Sequence, residues 1–206
     1  MKAIKITVTL IFIGLLVHTS KAQSESGVKG GVNFSSLIQN EIEDENMRMG
    51  WHAGFYSKME LSPSLFIMPE LLFSTKGTSV EYGIGGSTGQ TNLGIYYIDV
   101  PVLLGINLTD QLALHLGPYV SYLVDTKIET KGDFGSDQVD VDRDHLKSFD
   151  YGLSGGLALD FGAAAVGARY NYGLTKLADS DGAELVIGDS QNAVGQIYIS
   201  YQLSKK

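Results

Sequence analysis

The chain has 206 residues, with 25 Gly, 4 Pro, no Cys, 11 Tyr, 8 Phe, one Trp and only 18% charged residues. Without Cys there are no disulfides, no thiolate metal sites and no thiol catalysis, and a formal net charge of −8 excludes nucleic acid as a partner because nothing neutralises a run of phosphates. Low charge with abundant Gly and Tyr also excludes a coiled coil and a disordered chain.

Residues 1–22 read as a secretory signal peptide. Lys2 and Lys5 precede an apolar run over residues 6–17, and Ser20 and Ala22 place small side chains at the −3 and −1 positions of a cleavage site before Gln23. The run is shorter than the roughly 20 residues a helical membrane span needs. Removing three Lys and no acid leaves 12 basic against 23 acidic residues, so the exported chain carries −11. Residues 23–206 are expected to form one domain.

Along that domain the hydrophobic period is two, the signature of half-buried strands. Val28, Val32 and Phe34 oppose Lys29, Asn33 and Ser35. Trp51, Ala53, Phe55, Met59 and Leu61 oppose His52, Gly54, Tyr56, Lys58 and Glu60. Leu65, Ile67, Leu71 and Phe73 oppose Glu70, Ser74 and Lys76; Tyr96, Ile98, Val100, Val102, Leu104 and Ile106 oppose Asp99, Gly105 and Asn107. Next, Leu112, Leu114, Leu116, Val120, Tyr122 and Val124 oppose His115, Tyr119, Ser121 and Asp125. Phe149, Tyr151, Leu153, Leu157 and Leu159 oppose Asp150, Ser154 and Asp160. Val166, Ala168, Tyr170, Tyr172 and Leu174 oppose Gly167, Arg169, Asn171 and Thr175, and Ile197, Ile199, Tyr201 and Leu203 oppose Gln196, Tyr198, Ser200 and Gln202. These alternations predict eight strands.

The links alternate in length. Residues 62–64, 108–110 and 161–163 are tight turns, whereas 38–49, 77–92, 129–147 and 178–192 read as long polar loops. An even strand count with this order gathers all four long loops at one end, as in transmembrane barrels with brief periplasmic turns and longer extracellular loops. A soluble sandwich or lipocalin-like barrel alternates too, with its apolar face inward. Three features favour the inverted arrangement: glycines crowd the polar faces, aromatics recur near strand ends on the apolar face, and charge is scarce. The expectation is an all-β, eight-stranded antiparallel up-and-down transmembrane β-barrel.

Five segments in order, GVKGGVNFS (27–35), MPELLFSTKG (68–77), YIDVP (97–101), GPYVSYL (117–123) and ARYNYGL (168–174), resemble the PorT-like outer-membrane β-barrel family of Gram-negative bacteria of the Bacteroidota type. The resemblance implies an eight-stranded barrel in the outer membrane and assigns no biochemical activity. One relative takes part in protein secretion and gliding.

Glu70, Asp99 and Arg169 fall on polar faces within the resembling segments. Charge in a poorly hydrated lumen is costly unless paired, so Arg169 is expected to bind Glu70 or Asp99, its guanidinium suiting a bidentate contact. Lys58, Glu60, Lys76 and Asp150 are outer candidates for the same network. A gate or proton-linked site and a structural filling are both open to such a network. Filling is the expectation, because an eight-stranded barrel is just wide enough for side chains to occupy it.

Other motifs carry less. Asp140, Asp142 and Asp144 space like a calcium loop, but His145 stands where that loop requires Gly and Tyr151 where it requires Glu. The glycines from Gly83 to Gly89 lack the context of a phosphate loop and read as a flexible loop. His52, His115 and His145 have no Ser–Asp set of hydrolase type, so no catalytic residue, metal or cofactor is expected. The functional expectation is a structural or surface-interaction protein acting through its extracellular loops on an unknown ligand. Its partners would be outer-membrane lipid, lipopolysaccharide and the barrel-insertion machinery. A narrow transport channel, a secretion accessory and a membrane enzyme acting on lipid or peptide are the alternatives.

Overall fold

A computed structural model describes residues 24–38, 46–84, 87–132, 135–140, 147–176 and 191–205. These residues contain no helix. They form β1 (Ser24–Ile38), β2 (Asn46–Ser62), β3 (Leu65–Ile84), β4 (Ser87–Asn107), β5 (Leu112–Gly132), β6 (Gly135–Asp140), β7 (Phe149–Asp160), β8 (Ala164–Gly173) and β9 (Gln191–Lys205). The proposed signal peptide, His145 and the acidic residues Asp142 and Asp144 lie outside the described residues.

Every pairing is antiparallel. β1 is flanked by β2 and β9, β8 and β7 follow, β7 joins β5, and pairing of β5 with β4 closes the ring through β3. The barrel therefore has eight strands and no open edge, and β6 lies outside the ring. It pairs with the upper part of β5, from Lys127↔Asp140 to Gly132↔Gly135, beyond the point where β7 leaves that strand at Tyr122↔Phe149.

The period of two translates into an inverted distribution of polarity. Outside, Phe55 (63%), Leu116 (61%) and Ile199 (61%) are exposed, whereas Lys76 (0%), Glu70 (2%) and Lys29 (4%) are buried. Such an exterior is stable only against hydrocarbon, where the closed ladder also satisfies every backbone group of the span. Trp51 and Phe73 (ring centroids 5.5 Å), Phe73 and Tyr96 (6.2 Å), and Tyr122 and Phe149 (5.2 Å) form parts of an aromatic belt at the end away from the tight turns. That position suits a membrane interface.

The tight turns are as expected. Phe161 N–H donates to Ala164 O (2.8 Å), and Gly162 takes the left-handed φ of +89° that the turn between β7 and β8 requires. Two of the long links differ from expectation. Over 77–92 the chain continues as a hairpin paired out to Ile84↔Ser87, and within 129–147 residues 135–140 are strand. The glycines Gly83 and Gly89 accordingly lie in ladder positions rather than in a loop. Val80, Tyr82 and Ile84 do alternate with Glu81 and Gly83, but residues 87–92 and 135–140 that complete these extensions are mostly polar or Gly, so the pairs as a whole lack the strand signature.

A third difference is local. The β4–β5 register slips between Tyr96↔Asp125 and Tyr97↔Leu123, leaving Val124 as an extra residue. This bulge reverses the inside–outside phase above it, so Asp125 is exposed, not luminal, and Thr126 is buried in its place.

Candidate functional site

Glycines on the inner face make room for the large luminal side chains. A Cβ on Gly105 would lie 2.0 Å from the Phe66 ring, and one on Gly167 2.3 Å from Cζ of Tyr198. Each bulky ring thus lies over a glycine of a neighbouring strand, and the lumen fills with charged and amide side chains between such layers.

The lower layer centres on Glu70 of β3. Arg169 of β8 donates from Nη1 to Glu70 Oε2 and from Nη2 to Oε1, both at 2.7 Å, and Lys29 Nζ of β1 donates to Oε1 at 2.7 Å. Bidentate charge-assisted bonds of this length are among the strongest that side chains make. Lys29 lies 3.6 Å from the centroid of the Tyr198 ring, and Arg169 Cζ lies 5.4 Å from it. Arg169 Nε also donates to His115 Nε2 at 3.4 Å. The acceptor role at Nε2 places the His115 proton on Nδ1.

Beside this layer Asn33 is a hub. Its amide nitrogen donates to Ser74 Oγ (3.0 Å), Thr75 O (2.8 Å) and Trp51 O (3.2 Å). Its amide oxygen accepts from Gln196 Nε2 (3.0 Å) and contacts His52 Nδ1 (2.7 Å). Between the neighbouring strands β7 and β8, Ser154 Oγ donates to Asn171 Oδ1.

The upper layer centres on Lys76. Its Nζ lies 3.0 Å from Asp99 Oδ1, 3.0 Å from Ser121 Oγ and 3.9 Å from Asp150 Oδ2, under the rings of Tyr97 (4.6 Å) and Tyr119 (5.1 Å). Asp150 Oδ2 also accepts from Asn192 Nδ2 (2.9 Å) and from the Tyr119 hydroxyl (3.4 Å).

At the turn end the lumen opens into a cavity of about 350 Å³ lined by Tyr56, Lys58, Phe66, Met68 and Tyr198 among others. Glu25 stands at its rim, 2.6 Å from Lys205 Nζ and 4.0 Å from Lys58 Nζ, tying β1 to both neighbours.

Of the residues expected to form a charge network, Glu70 and Arg169 meet directly, whereas Asp99 pairs with Lys76 one layer higher. Asp150 joins that upper layer; Lys58 lies at the mouth, 4.0 Å from Glu25, and Glu60 lines the cavity there. His52 and His115 are luminal, each 1% exposed. Lys29, Tyr198 and Asn192 were not singled out in the sequence. The available signal was a cation at position 29 opposite Val28 and Val32 in a glycine-rich strand. Among the described residues no group of three or more acidic or His side chains is arranged to hold a metal.

A closed eight-stranded ring with an apolar outside, an aromatic belt and a charged inside defines an outer-membrane β-barrel. Residues 20–179 match the model of the family described as outer membrane protein beta-barrel domain, and the chain belongs to that family. It resides in the outer membrane. Among solved structures, Neisserial surface protein A is similar at 10% identity and TM-score 0.50, over 86% of this chain and 97% of that one. Ail of Yersinia pestis, solved with the heparin analogue sucrose octasulfate, is 15% identical at TM-score 0.47, over 88% and 99% of the two chains. CarO of Acinetobacter baumannii is 11% identical at TM-score 0.44, over 85% and 96%. No curated protein sequence matches the chain.

Proposed function

We propose that this protein is a surface-interaction barrel whose lumen is filled for structural reasons and whose binding element is the sheet that continues beyond the barrel. One observation carries this reading. β3 and β4 stay paired to Ile84↔Ser87, β4 and β5 to Gly89↔Gly132, and β5 and β6 over residues 127–140, which makes a four-stranded extension above the aromatic belt. Among the described residues β6 has no strand on its far side, nor has β3 beyond Ser79. Such edges carry free backbone donors and acceptors that an extended partner segment can complete. The sequence around β6 is rich in Asp, from Asp133 to Asp144, with one Arg. This favours a basic or neutral peptide partner and disfavours an anionic one such as a sulfated sugar.

The test replaces residues 128–139 with a short Gly–Ser turn and compares cells bearing either barrel for adhesion to immobilised extracellular-matrix protein. The reading expects adhesion to fall to the level of cells lacking the barrel while the variant still shows heat-modifiable migration in the outer-membrane fraction. Undiminished adhesion refutes it. The channel alternative expects stable, large single-channel conductance from purified protein in planar bilayers; the filled lumen predicts none. The enzyme alternative gains no support from a catalytic cluster among the described residues.

Finer assignments belong to the same proposal. PorT-like kinship rests on the five motifs quoted above, and N-terminal sequencing that begins at Gln23 tests cleavage of residues 1–22. Lipopolysaccharide and the insertion machinery follow as partners from an outer-membrane location.

A further inference from the structure

The upper luminal layer holds one cation, Lys76, and two carboxylates, Asp99 and Asp150, and it is closed off by Tyr97 and Tyr119. All five residues are buried, with Asp150 and Lys76 at 0% and Asp99 at 4% exposure. Hydrogen bonding there is incomplete in a specific way. Asp150 Oδ1, Asn192 Oδ1 and the Tyr97 hydroxyl are buried without a hydrogen-bond partner, and Asp99 Oδ1 meets only the Lys76 ammonium, at 3.0 Å. Asn192 is itself 1% exposed, and its amide nitrogen already donates to Asp150, so its carbonyl oxygen belongs to the same cluster. In the lower layer the unpartnered atoms are instead two imidazole nitrogens, on His52 and His115. Lys29 and Arg169 direct their bonds to Glu70 and His115 and supply nothing to the oxygens above.

We propose that the upper layer is a binding site for a small alkali cation, ligated by Asp99, Asp150 and Asn192 with the Tyr97 hydroxyl beside them. The atoms offered as ligands are all oxygens, three of them buried and unpartnered, which matches the preference of a hard cation. The formal charge selects its valence. One monovalent ion balances the two carboxylates against Lys76, whereas a divalent ion leaves a surplus positive charge next to the ammonium, which burial penalises. The register holds the carboxylates in place. Asp99, Ser121 and Asp150 lie in one row across β4, β5 and β7, so the closed ladder fixes their spacing before any ion arrives.

The test uses the mature barrel refolded in detergent. Its thermal unfolding midpoint is followed by loss of heat-modifiable migration while Na⁺ or K⁺ replaces N-methylglucamine at constant ionic strength. A rise of about 3–6 °C, growing with the logarithm of cation concentration, is expected for wild type at a tenfold excess over the dissociation constant. In Asp150→Asn, which removes the surplus carboxylate, the response should vanish. A midpoint indifferent to cation identity overturns the proposal and leaves a shared proton or water at the cluster, as does an undiminished response in Asp150→Asn. Should that variant fail to fold, crystals of the wild-type barrel grown in Tl⁺ decide the matter. An anomalous peak within ligating distance of the Asp99 and Asp150 oxygens supports the site, and an empty map there refutes it.

Discussion

Removing either partner of the Glu70–Arg169 pair should produce unequal losses, and the inequality tests whether the lumen is dry and packed. Glu70 is the sole anion in its layer and accepts from both Lys29 and Arg169, each at 2.7 Å. Glu70→Gln therefore leaves two buried cations facing a neutral amide, and breaking a buried ion pair in this way costs about 3–5 kcal/mol. Arg169→Met deletes the two bonds to Glu70 and the contact to His115 but leaves Lys29 on Glu70, so the layer becomes formally neutral. The lost bonds, at about 1.5–3 kcal/mol each, are offset in part because the guanidinium no longer has to be desolvated. The net loss for Arg169→Met should be about 2 kcal/mol smaller than for Glu70→Gln, or roughly 4–8 °C in midpoint for a chain of this size. Urea unfolding of the barrel in lipid bilayers, with the double variant completing the cycle, measures the difference and a coupling of opposite sign to the single losses. Equal losses, or both variants within 0.5 kcal/mol of wild type, would show that water fills the lumen and screens these charges, and the packed-lumen argument would fail.

Gly105→Ala should destabilise by about 1–3 kcal/mol, because its Cβ would lie 2.0 Å from the Phe66 ring; the same change in a Phe66→Leu background should cost much less, as read by unfolding midpoints. Leu116→Arg on the lipid face, 61% exposed and in mid-barrel, should cost about 2–4 kcal/mol, whereas Leu203→Arg near the end of β9 should cost about 0–1; equal costs would be inconsistent with a membrane at this level. Gly162→Ala forces a side chain into a φ of +89° with no neighbour within 4 Å, so it should cost about 1–2 kcal/mol from backbone strain alone, without altering conductance or surface binding.

Most of the barrel was legible because a membrane strand writes its environment into alternate residues. Lys29, Glu70 and Arg169 each stand opposite aliphatic neighbours, and that alone places them inside once the outside is recognised as lipid-facing. Legibility ends where one strand of a pair loses its alternation. The hairpin extensions of β3–β4 and β5–β6 read as loops, and Asp125 reads as luminal because a one-residue bulge has no reliable sequence signal.

The sequence by itself determined the eight strands of the ring, the face that most of their side chains take, the antiparallel topology and the outer-membrane class, since all of these follow from a two-residue period and the lengths of the links. Only the tertiary structure decided the pairings. Arg169 meets Glu70 across 99 positions and Lys29 meets it across 41, while Asp99 goes to Lys76. The reason is geometric. Inward direction is a local property of each strand, but the height at which a side chain enters the lumen depends on the stagger accumulated around the closed ring, which no single strand encodes.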